Sequence, residues 1–267
     1  MPEFASDGWR ALIPPQPMPE PEGTGRIESN GASIYFSTYG EGNDSPVMLL
    51  HGGLGAGEDF GGQIAALARN HHVVAVDSRG HGRSTVDSRP LDLQVMASDV
   101  LGVMDHLGIQ KAAIVGWSDG GNIGIELAIN NPERLTKLFA LGANYSVSGV
   151  RPSAFADALV LAFVARAAEQ YALMSATPDN FEEFSGKVFA LWGTEPPFTE
   201  KHISKITAPT IIAAGVYEEA IDENHTRSLA ELIPGAQLML IDNASHFAHW
   251  QQPKVVNDAI LEFLDSS

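Results

Sequence analysis

Ser118 is the residue of this chain best suited by its surroundings to do chemistry. It stands in Gly116-Trp117-Ser118-Asp119-Gly120, directly after the apolar run 112–115. Glycines two positions before and after a serine allow a sharp turn between a strand and a helix, and that turn exposes the hydroxyl group. The same spacing occurs by chance in ordinary β-turns, but here a helical pattern follows over 122–129. The pattern predicts that Ser118 is a nucleophile that attacks a carbonyl carbon.

Short apolar runs alternate with helical patterns over most of the chain. The segment 26–39 is typical of a β-hairpin, because it contains the tight-turn dipeptide Asn30-Gly31. Further strands are predicted at 47–50, 73–76, 112–116, 135–141, 210–215 and 238–241, and helices at 64–68, 93–107, 122–129, 226–232 and 255–264. Strands that alternate with helices require crossover connections, so the sequence predicts an α/β fold with a parallel sheet.

The alternation stops between residues 144 and 207. Apolar side chains recur there at every fourth position from Phe155 to Tyr171, which predicts a helix, and aromatic residues continue to Trp192. In the simplest interpretation this stripe packs within a small helical insertion. In the alternative, some of its members face a cleft above Ser118. The candidate pocket residues are Trp117, Phe163, Trp192 and Phe247.

The start of the chain is rich in proline, which accounts for six of the first 22 residues. We interpret residues 1–23 as an extended arm that can pack on the domain. These residues lack the basic start and apolar core of a signal peptide, and no stretch is long enough to span a membrane. We therefore expect a cytoplasmic protein, with a cleaved precursor segment left open.

Composition narrows the class of protein. A chain of 267 residues suits one large α/β domain, and its net charge of −17 argues against nucleic acid or an anionic membrane as a partner. The lack of cysteine excludes disulfides and thiol catalysis. No H-E-x-x-H or comparable spacing suggests a metal. We expect a small-molecule substrate and no cofactor, and the oligomeric state is left open.

The chain resembles the α/β-hydrolase superfamily over nearly its whole length. Four motifs carry the resemblance: His51-Gly52-Gly53-Leu54-Gly55, the segment Asp-Ser-Arg-Gly-His-Gly-Arg-Ser at 77–84, the Gly-Trp-Ser-Asp-Gly-Gly elbow at 116–121, and Ser245-His246. The elbow is similar to those of esterases such as valacyclovir hydrolase, and the first motif to those of proline iminopeptidase-like members. The resemblance implies a mostly parallel sheet flanked by helices over 24–143 and 208–267, with residues 144–207 as a small helical lid after the sixth strand.

The resemblance also implies a base and an acid. Chain order in this fold puts the base after the last strand, which favours His246 over His249, a residue more typical of a helix start or the surface. The family's acid belongs to a Gly-Asp-x-Asp segment, and this chain has Gly-Val-Tyr-Glu from residue 215, so both aspartates are missing and Glu218 takes the acid's position. The alternatives are a site without an effective acid, or another carboxylate. Candidates for the latter are Asp222, Glu219 and Asp242.

Attack by a serine creates an oxyanion that needs hydrogen-bond donors. In this fold one donor is the backbone N–H after the nucleophile, here Asp119, whose side chain is expected at the surface or at a helix start. The resemblance implies the N–H of Gly53 as the second donor, with Leu54 as the fallback. The simpler explanation for the glycines of this loop is a tight turn.

These parts imply a serine hydrolase that cleaves small or medium carboxylic esters or lactones through an acyl-enzyme. Amidases, aminopeptidases and C–C bond hydrolases of the same fold share them. The altered acid segment also fits a different class, a ligand-binding protein with little or no catalysis. Intact Ser118 and His246 argue against that class.

Overall fold

The computed structural model describes residues 8–266; residues 1–7 of the predicted arm and residue 267 lie outside the described residues. The strands of one sheet are β1 (Gly23–Ser29), β2 (Ala32–Tyr39), β3 (Pro46–Leu50), β4 (His72–Val76), β5 (Ala112–Trp117), β6 (Leu135–Leu141), β7 (Thr210–Gly215) and β8 (Gln237–Ile241). Their order in the sheet is β1-β2-β4-β3-β5-β6-β7-β8. Since β3 lies between β4 and β5, the chain crosses over, as the alternation predicts.

The sheet is mostly parallel. Every pairing from β4 through β3, β5, β6 and β7 to β8 is parallel. Antiparallel pairing joins β1 to β2 and β2 to β4. Asn30 and Gly31 turn the first hairpin with φ angles of 47° and 79°, which this dipeptide adopts at low cost. The predicted α/β fold with a mostly parallel sheet is confirmed.

Helices flank the sheet. They are α1 (Gly61–Leu67), α2 (Leu93–His106), α3 (Asp119–Asn130), α4 (Ala158–Met174), α5 (Phe181–Trp192), α6 (Glu200–Ile203), α7 (Glu223–Leu232), α8 (Ala248–Gln251) and α9 (Pro253–Asp265). Successive side chains of a strand point to opposite faces. Ile114 and Val115 accordingly belong to two separate apolar clusters, one on each face of the sheet.

Helices α4, α5 and α6 lie between β6 and β7 in the chain, within the predicted insertion. Helix α4 begins after Asp157, whose carboxylate accepts the N–H of Leu159 at 2.8 Å. The buried positions of α4 are Leu159, Phe163, Ala167 and Tyr171. Leu159, Ala167 and Tyr171 thus form a packing surface, as the simpler interpretation predicts, whereas Phe155 and Phe189 are 50% and 40% exposed.

The carboxyl ends of the parallel strands meet at one edge of the sheet. Leu50 at the end of β3 pairs with Gly116 of β5, and Gly215 at the end of β7 pairs with Ile241 of β8. The loops that follow these strands therefore emerge side by side. All four motifs of the resemblance begin there: the glycine-rich loop from residue 51, the segment from residue 77, the Ser118 elbow and the loop that carries His246.

Candidate active site

Ser118 occupies a strained turn between β5 and α3. Its φ and ψ are 53° and −119°, a conformation that non-glycine residues avoid and that costs about 1–3 kcal/mol. The two glycines of the elbow make this turn sterically feasible. A Cβ on Gly116 would lie 2.3 Å from the carbonyl oxygen of Gly120, and a Cβ on Gly120 would lie 1.9 Å from that of Leu50. The pentapeptide is therefore a steric requirement of the turn.

His246 lies on the loop between β8 and α8 and is paired with Glu218. Its Nδ1 is 2.8 Å from Oε1 of Glu218, and both side chains are buried. The same carboxylate oxygen accepts the N–H groups of Ala220 and Ile221 at 2.9 and 3.2 Å. An ionised carboxylate only accepts, so Nδ1 carries the proton and Nε2 of the neutral ring is available as a base. Burial alone would lower the pKa of His246, but the carboxylates around it, Glu218 before Glu219 and Asp119, together outweigh burial and raise that pKa.

Glu219 contacts the same histidine at a different atom. Its Oε2 accepts the backbone N–H of His246 at 2.9 Å, so Glu219 fixes the loop and leaves the ring to Glu218. Burial, together with the nearby Glu218 charge, raises the pKa of Glu219 to about 7. Sequence reasoning treated Glu219 only as an alternative acid and did not anticipate this backbone contact.

The other two alternative acids lie elsewhere. Asp222 caps α7 by accepting the N–H of Asn224 at 2.9 Å. Asp242 follows β8 and is exposed. Among residues 8–266, Glu218 is the one carboxylate that hydrogen-bonds the imidazole ring of His246.

The backbone N–H groups of Gly53 and Asp119 are the candidate donors to the oxyanion. Within residues 8–266 neither donates to a protein acceptor, and Asp119 is the first residue of α3, where an N–H has no intrahelical partner. A Cβ on Gly53 would lie 2.4 Å from Oδ2 of Asp119, so glycine lets this backbone approach the elbow. The fallback residue Leu54 is buried and has a φ of 65°.

A cavity of about 90 Å³ opens onto these groups. Ser118 and His246 both line it, together with Gly53 and Asp119. All four candidate pocket residues, Trp117, Phe163, Trp192 and Phe247, line it as well. Trp117 also holds the histidine loop, because its Nε1 donates to the carbonyl oxygen of His246 at 2.9 Å. The cavity thus joins the elbow, the histidine and aromatic residues of the inserted helices.

Asp119 and His249 were each expected at a helix start or at the surface; both stand at a helix start, and the surface alternative is wrong for both. Asp119 does start a helix, but its side chain is buried and not at the surface: Nε1 of Trp192 donates to its two oxygens at 2.9 and 3.1 Å. Burial raises the pKa of Asp119 to about 6. His249 is also buried, with its ring 4.5 Å from that of Trp117. Its apolar neighbours Phe247, Ala248 and Trp250 were the available sequence signal.

In residues 8–266 no three histidine, aspartate or glutamate side chains converge as metal ligands would. No helix in that range has both the length and the apolar composition needed to cross a bilayer.

Comparison with known proteins gives the family. Residues 45–173 match the family model described as alpha/beta hydrolase fold. A protein of Azorhizobium caulinodans named "Putative carbamate hydrolase RutD" is 30% identical over 260 residues, which cover 87% of this chain and 95% of that protein. The chain belongs to the α/β-hydrolase family.

Other relatives of this α/β hydrolase differ in their named activities. Carboxylesterase YbfK of Bacillus subtilis is 27% identical over 241 residues, which cover 83% of this chain and 81% of that protein. The solved structure titled "Est816 as an N-Acyl homoserine lactone degrading enzyme" has a TM-score of 0.73 at 27% identity and covers 90% of this chain and 100% of its own. The relatives support a hydrolase on this fold without fixing one substrate.

Proposed function

We propose that this α/β hydrolase is a serine hydrolase that cleaves small or medium carboxylic esters or lactones through an acyl-enzyme. The observation that carries the proposal is the shared cavity. Ser118, in its strained turn, and His246, paired with Glu218 at 2.8 Å, both line it. Nucleophile, base and orienting acid are the parts that acyl transfer needs.

In the proposed mechanism the hydroxyl oxygen of Ser118 attacks the carbonyl carbon while Nε2 of His246 takes its proton. The N–H groups of Gly53 and Asp119 bind the oxyanion that forms. When the tetrahedral intermediate collapses, the protonated His246 gives its proton to the leaving alcohol. Water, deprotonated by His246, then attacks the acyl-enzyme and releases the acid and free Ser118. Glu218 keeps the ring in the required tautomer and stabilises the imidazolium.

The inserted helices act as the lid in this proposal. Phe163 of α4 and Trp192 of α5 contribute apolar walls to the cavity, which suits a substrate with an apolar acyl or alcohol group. The names of YbfK and Est816 refer to esters and lactones, and RutD relatives make a carbamate a necessary comparison substrate.

Side-chain contacts bear on two of the alternative functions, the aminopeptidase or amidase and the pure binding protein. An aminopeptidase or related amidase needs an acidic group to hold a substrate ammonium, and the buried Asp119 on the cavity wall favours that candidate. Its carboxylate already accepts from Trp192, which favours the ester or lactone. The contact between Glu218 and His246 supports turnover over a pure binding protein.

The test is hydrolysis of a matched set of substrates by wild type and Ser118→Ala. The set contains p-nitrophenyl acetate and butyrate, an aliphatic lactone, a p-nitrophenyl carbamate and an amino-acid p-nitroanilide. We expect wild type to favour the esters or the lactone and Ser118→Ala to lose activity on every member. Preference for the anilide would support the aminopeptidase, and full activity in Ser118→Ala would overturn the proposal.

A further inference from the structure

The proline-rich arm contacts the loop that carries Glu218. The indole ring of Trp9 stacks on the ring of Tyr217, with 4.1 Å between ring centroids and 7° between planes. Tyr217 directly precedes Glu218, and its N–H donates to the carbonyl oxygen of Ala244 at 2.9 Å. A ring stacked on Tyr217 therefore restricts the loop one residue from the candidate acid.

The same part of the arm is tied to the loop that carries His246. Oε1 of Gln251, a buried residue of α8, accepts the N–H of Ser245 at 2.7 Å. Its Nε2 donates to the carbonyl oxygens of Trp9 and Ala11 at 3.0 and 3.2 Å. Ser245 directly precedes His246, so one amide group joins the arm to the residue before the candidate base.

We propose that the arm is a positioning element for the Glu218–His246 pair, and that Trp9 and Gln251 are its positioning residues. This inference rests on the proposed function, since it assigns the arm a part in that reaction. Each contact acts on the residue immediately before a member of the pair. The arm thereby holds the two loops at the separation that the 2.8 Å contact requires. Small losses of alignment in such a pair lower the rate of proton transfer strongly.

The far end of the arm supplies a matched control. Glu22 accepts the N–H groups of Gly40 and Glu41 at 3.1 and 2.7 Å. These bonds hold the arm to the loop after β2, near the opposite edge of the sheet from β8. Glu22→Ala therefore weakens arm attachment without touching either loop of the candidate site.

Three variants test whether loss of the arm contacts, and not a general loss of folding, lowers activity. Trp9→Ala removes the stacked ring, and Trp9→Phe retains an aromatic ring as the conservative rescue. Gln251→Glu retains an acceptor for Ser245 but turns a carboxylate oxygen toward two carbonyl oxygens, which repels the arm. We expect Trp9→Ala and Gln251→Glu to lower kcat on a p-nitrophenyl ester about tenfold or more with little change in KM. Trp9→Phe is expected to recover most of this loss, and Glu22→Ala to match wild type.

The pH dependence of kcat/KM distinguishes a positioning role from a purely structural one, because a loss of stability alone would not shift the pKa of His246. The titratable groups that act on His246 are Glu218, Glu219 and Asp119, and His249 lies nearby. Loosening the Glu218 contact removes the main cause that raises the pKa of His246. The acid limb of kcat/KM is therefore expected to move to lower pH in Trp9→Ala and to stay in place in Glu22→Ala.

Amide hydrogen exchange tests the arm independently of activity. We expect exchange over residues 216–221 and 243–248 to quicken in Trp9→Ala and not in Glu22→Ala. If wild type hydrolyses esters but Trp9→Ala retains wild-type kcat, the inference is overturned, whether or not exchange changes. If wild type hydrolyses none of the substrates, the proposed function fails, and unchanged exchange in Trp9→Ala would separately show that the arm does not hold the loops.

Discussion

The indole Nε1 of Trp192 donates to both carboxylate oxygens of Asp119, at 2.9 and 3.1 Å. This bond joins the end of the inserted helix α5 to the first residue of α3, directly after Ser118. It also brings the Trp192 ring close to Gly53, where a Cβ would lie 2.7 Å from the ring. The candidate oxyanion donors and the inserted helix α5 are therefore parts of one packed unit.

Replacement of the Asp119 carboxylate is expected to stabilise the fold at neutral pH. Burial raises the pKa of Asp119 to about 6, from about 4 in an unfolded chain. Between these pH values the folded protein binds more protons than the unfolded chain. The free energy of unfolding therefore falls as pH rises from about 4 to about 6, and it stays lowered at higher pH. Two pKa units correspond to roughly 3 kcal/mol. Asp119→Asn keeps an oxygen for Trp192 and is expected to recover up to that amount.

Urea denaturation of wild type and Asp119→Asn across this pH range measures the effect. The difference in free energy of unfolding is expected to be largest at neutral pH and to vanish near pH 4 as the wild-type carboxyl group is protonated. If Asp119→Asn is less stable than wild type at neutral pH, the charged carboxylate stabilises the fold through its bond to Trp192 by more than its burial destabilises it.

The roles of the two adjacent glutamates are expected to separate in pH–rate profiles. His246 must be neutral to act as a base, so kcat/KM falls as pH drops through its raised pKa. Glu218→Gln removes the charge that raises this pKa and is expected to lower kcat about 10³- to 10⁴-fold and to move the acid limb to lower pH. Glu218→Asp is expected to be intermediate because its shorter side chain loses reach.

Glu219→Gln is the matched control. It keeps an acceptor for the backbone N–H of His246, so kcat is expected to stay close to that of wild type. The acid limb of kcat/KM is expected to move to lower pH by less than in Glu218→Gln. A silent Glu218→Gln combined with an inactive Glu219→Gln would reverse the two assignments.

An ion pair with one buried partner ties α4 to the turn after the glycine-rich loop. Arg166 Nη1 lies 3.2 Å from Oδ1 of Asp59, which is fully buried, and Asp59 Oδ2 accepts the N–H of Ala56 at 3.0 Å. Arg166→Met leaves that carboxylate without its partner and is expected to destabilise the fold by about 2 kcal/mol, less than a fully buried pair because Arg166 is partly exposed. Adding Asp59→Asn removes the stranded charge.

A double-mutant cycle measured by urea denaturation checks this coupling. The Arg166→Met/Asp59→Asn protein is expected to be more stable than Arg166→Met alone. Simple addition of the two single effects would mean that the two side chains are not energetically coupled.

Local patterns predicted much of the fold and site. The apolar runs gave the strands because a buried parallel strand needs continuous apolar residues. The Ser118 elbow was recognisable because only glycine fits at positions 116 and 120, where a Cβ would clash with the neighbouring backbone. Glu218 was predicted from the family resemblance, because it stands where the family's acid follows the strand that ends at Gly215.

Long-range partners escaped prediction. Asp119 and Trp192 are 73 residues apart, and Trp9 and Gln251 are 242 apart. No local periodicity encodes such pairs, since they depend on how loops meet at the sheet edge. The burial of His249 was not predicted, because it follows from packing against Trp117, a residue on another element.

Covalent labelling by a fluorophosphonate tests the central claim most directly, because the reagent phosphonylates a serine only where a base activates it. Intact-mass measurement and peptide mapping of wild type, Ser118→Ala and His246→Ala locate the adduct. We predict one adduct on Ser118 in wild type, none in Ser118→Ala and greatly slowed labelling in His246→Ala. An unlabelled wild type, or an adduct on another serine, would contradict the account of Ser118 as the nucleophile.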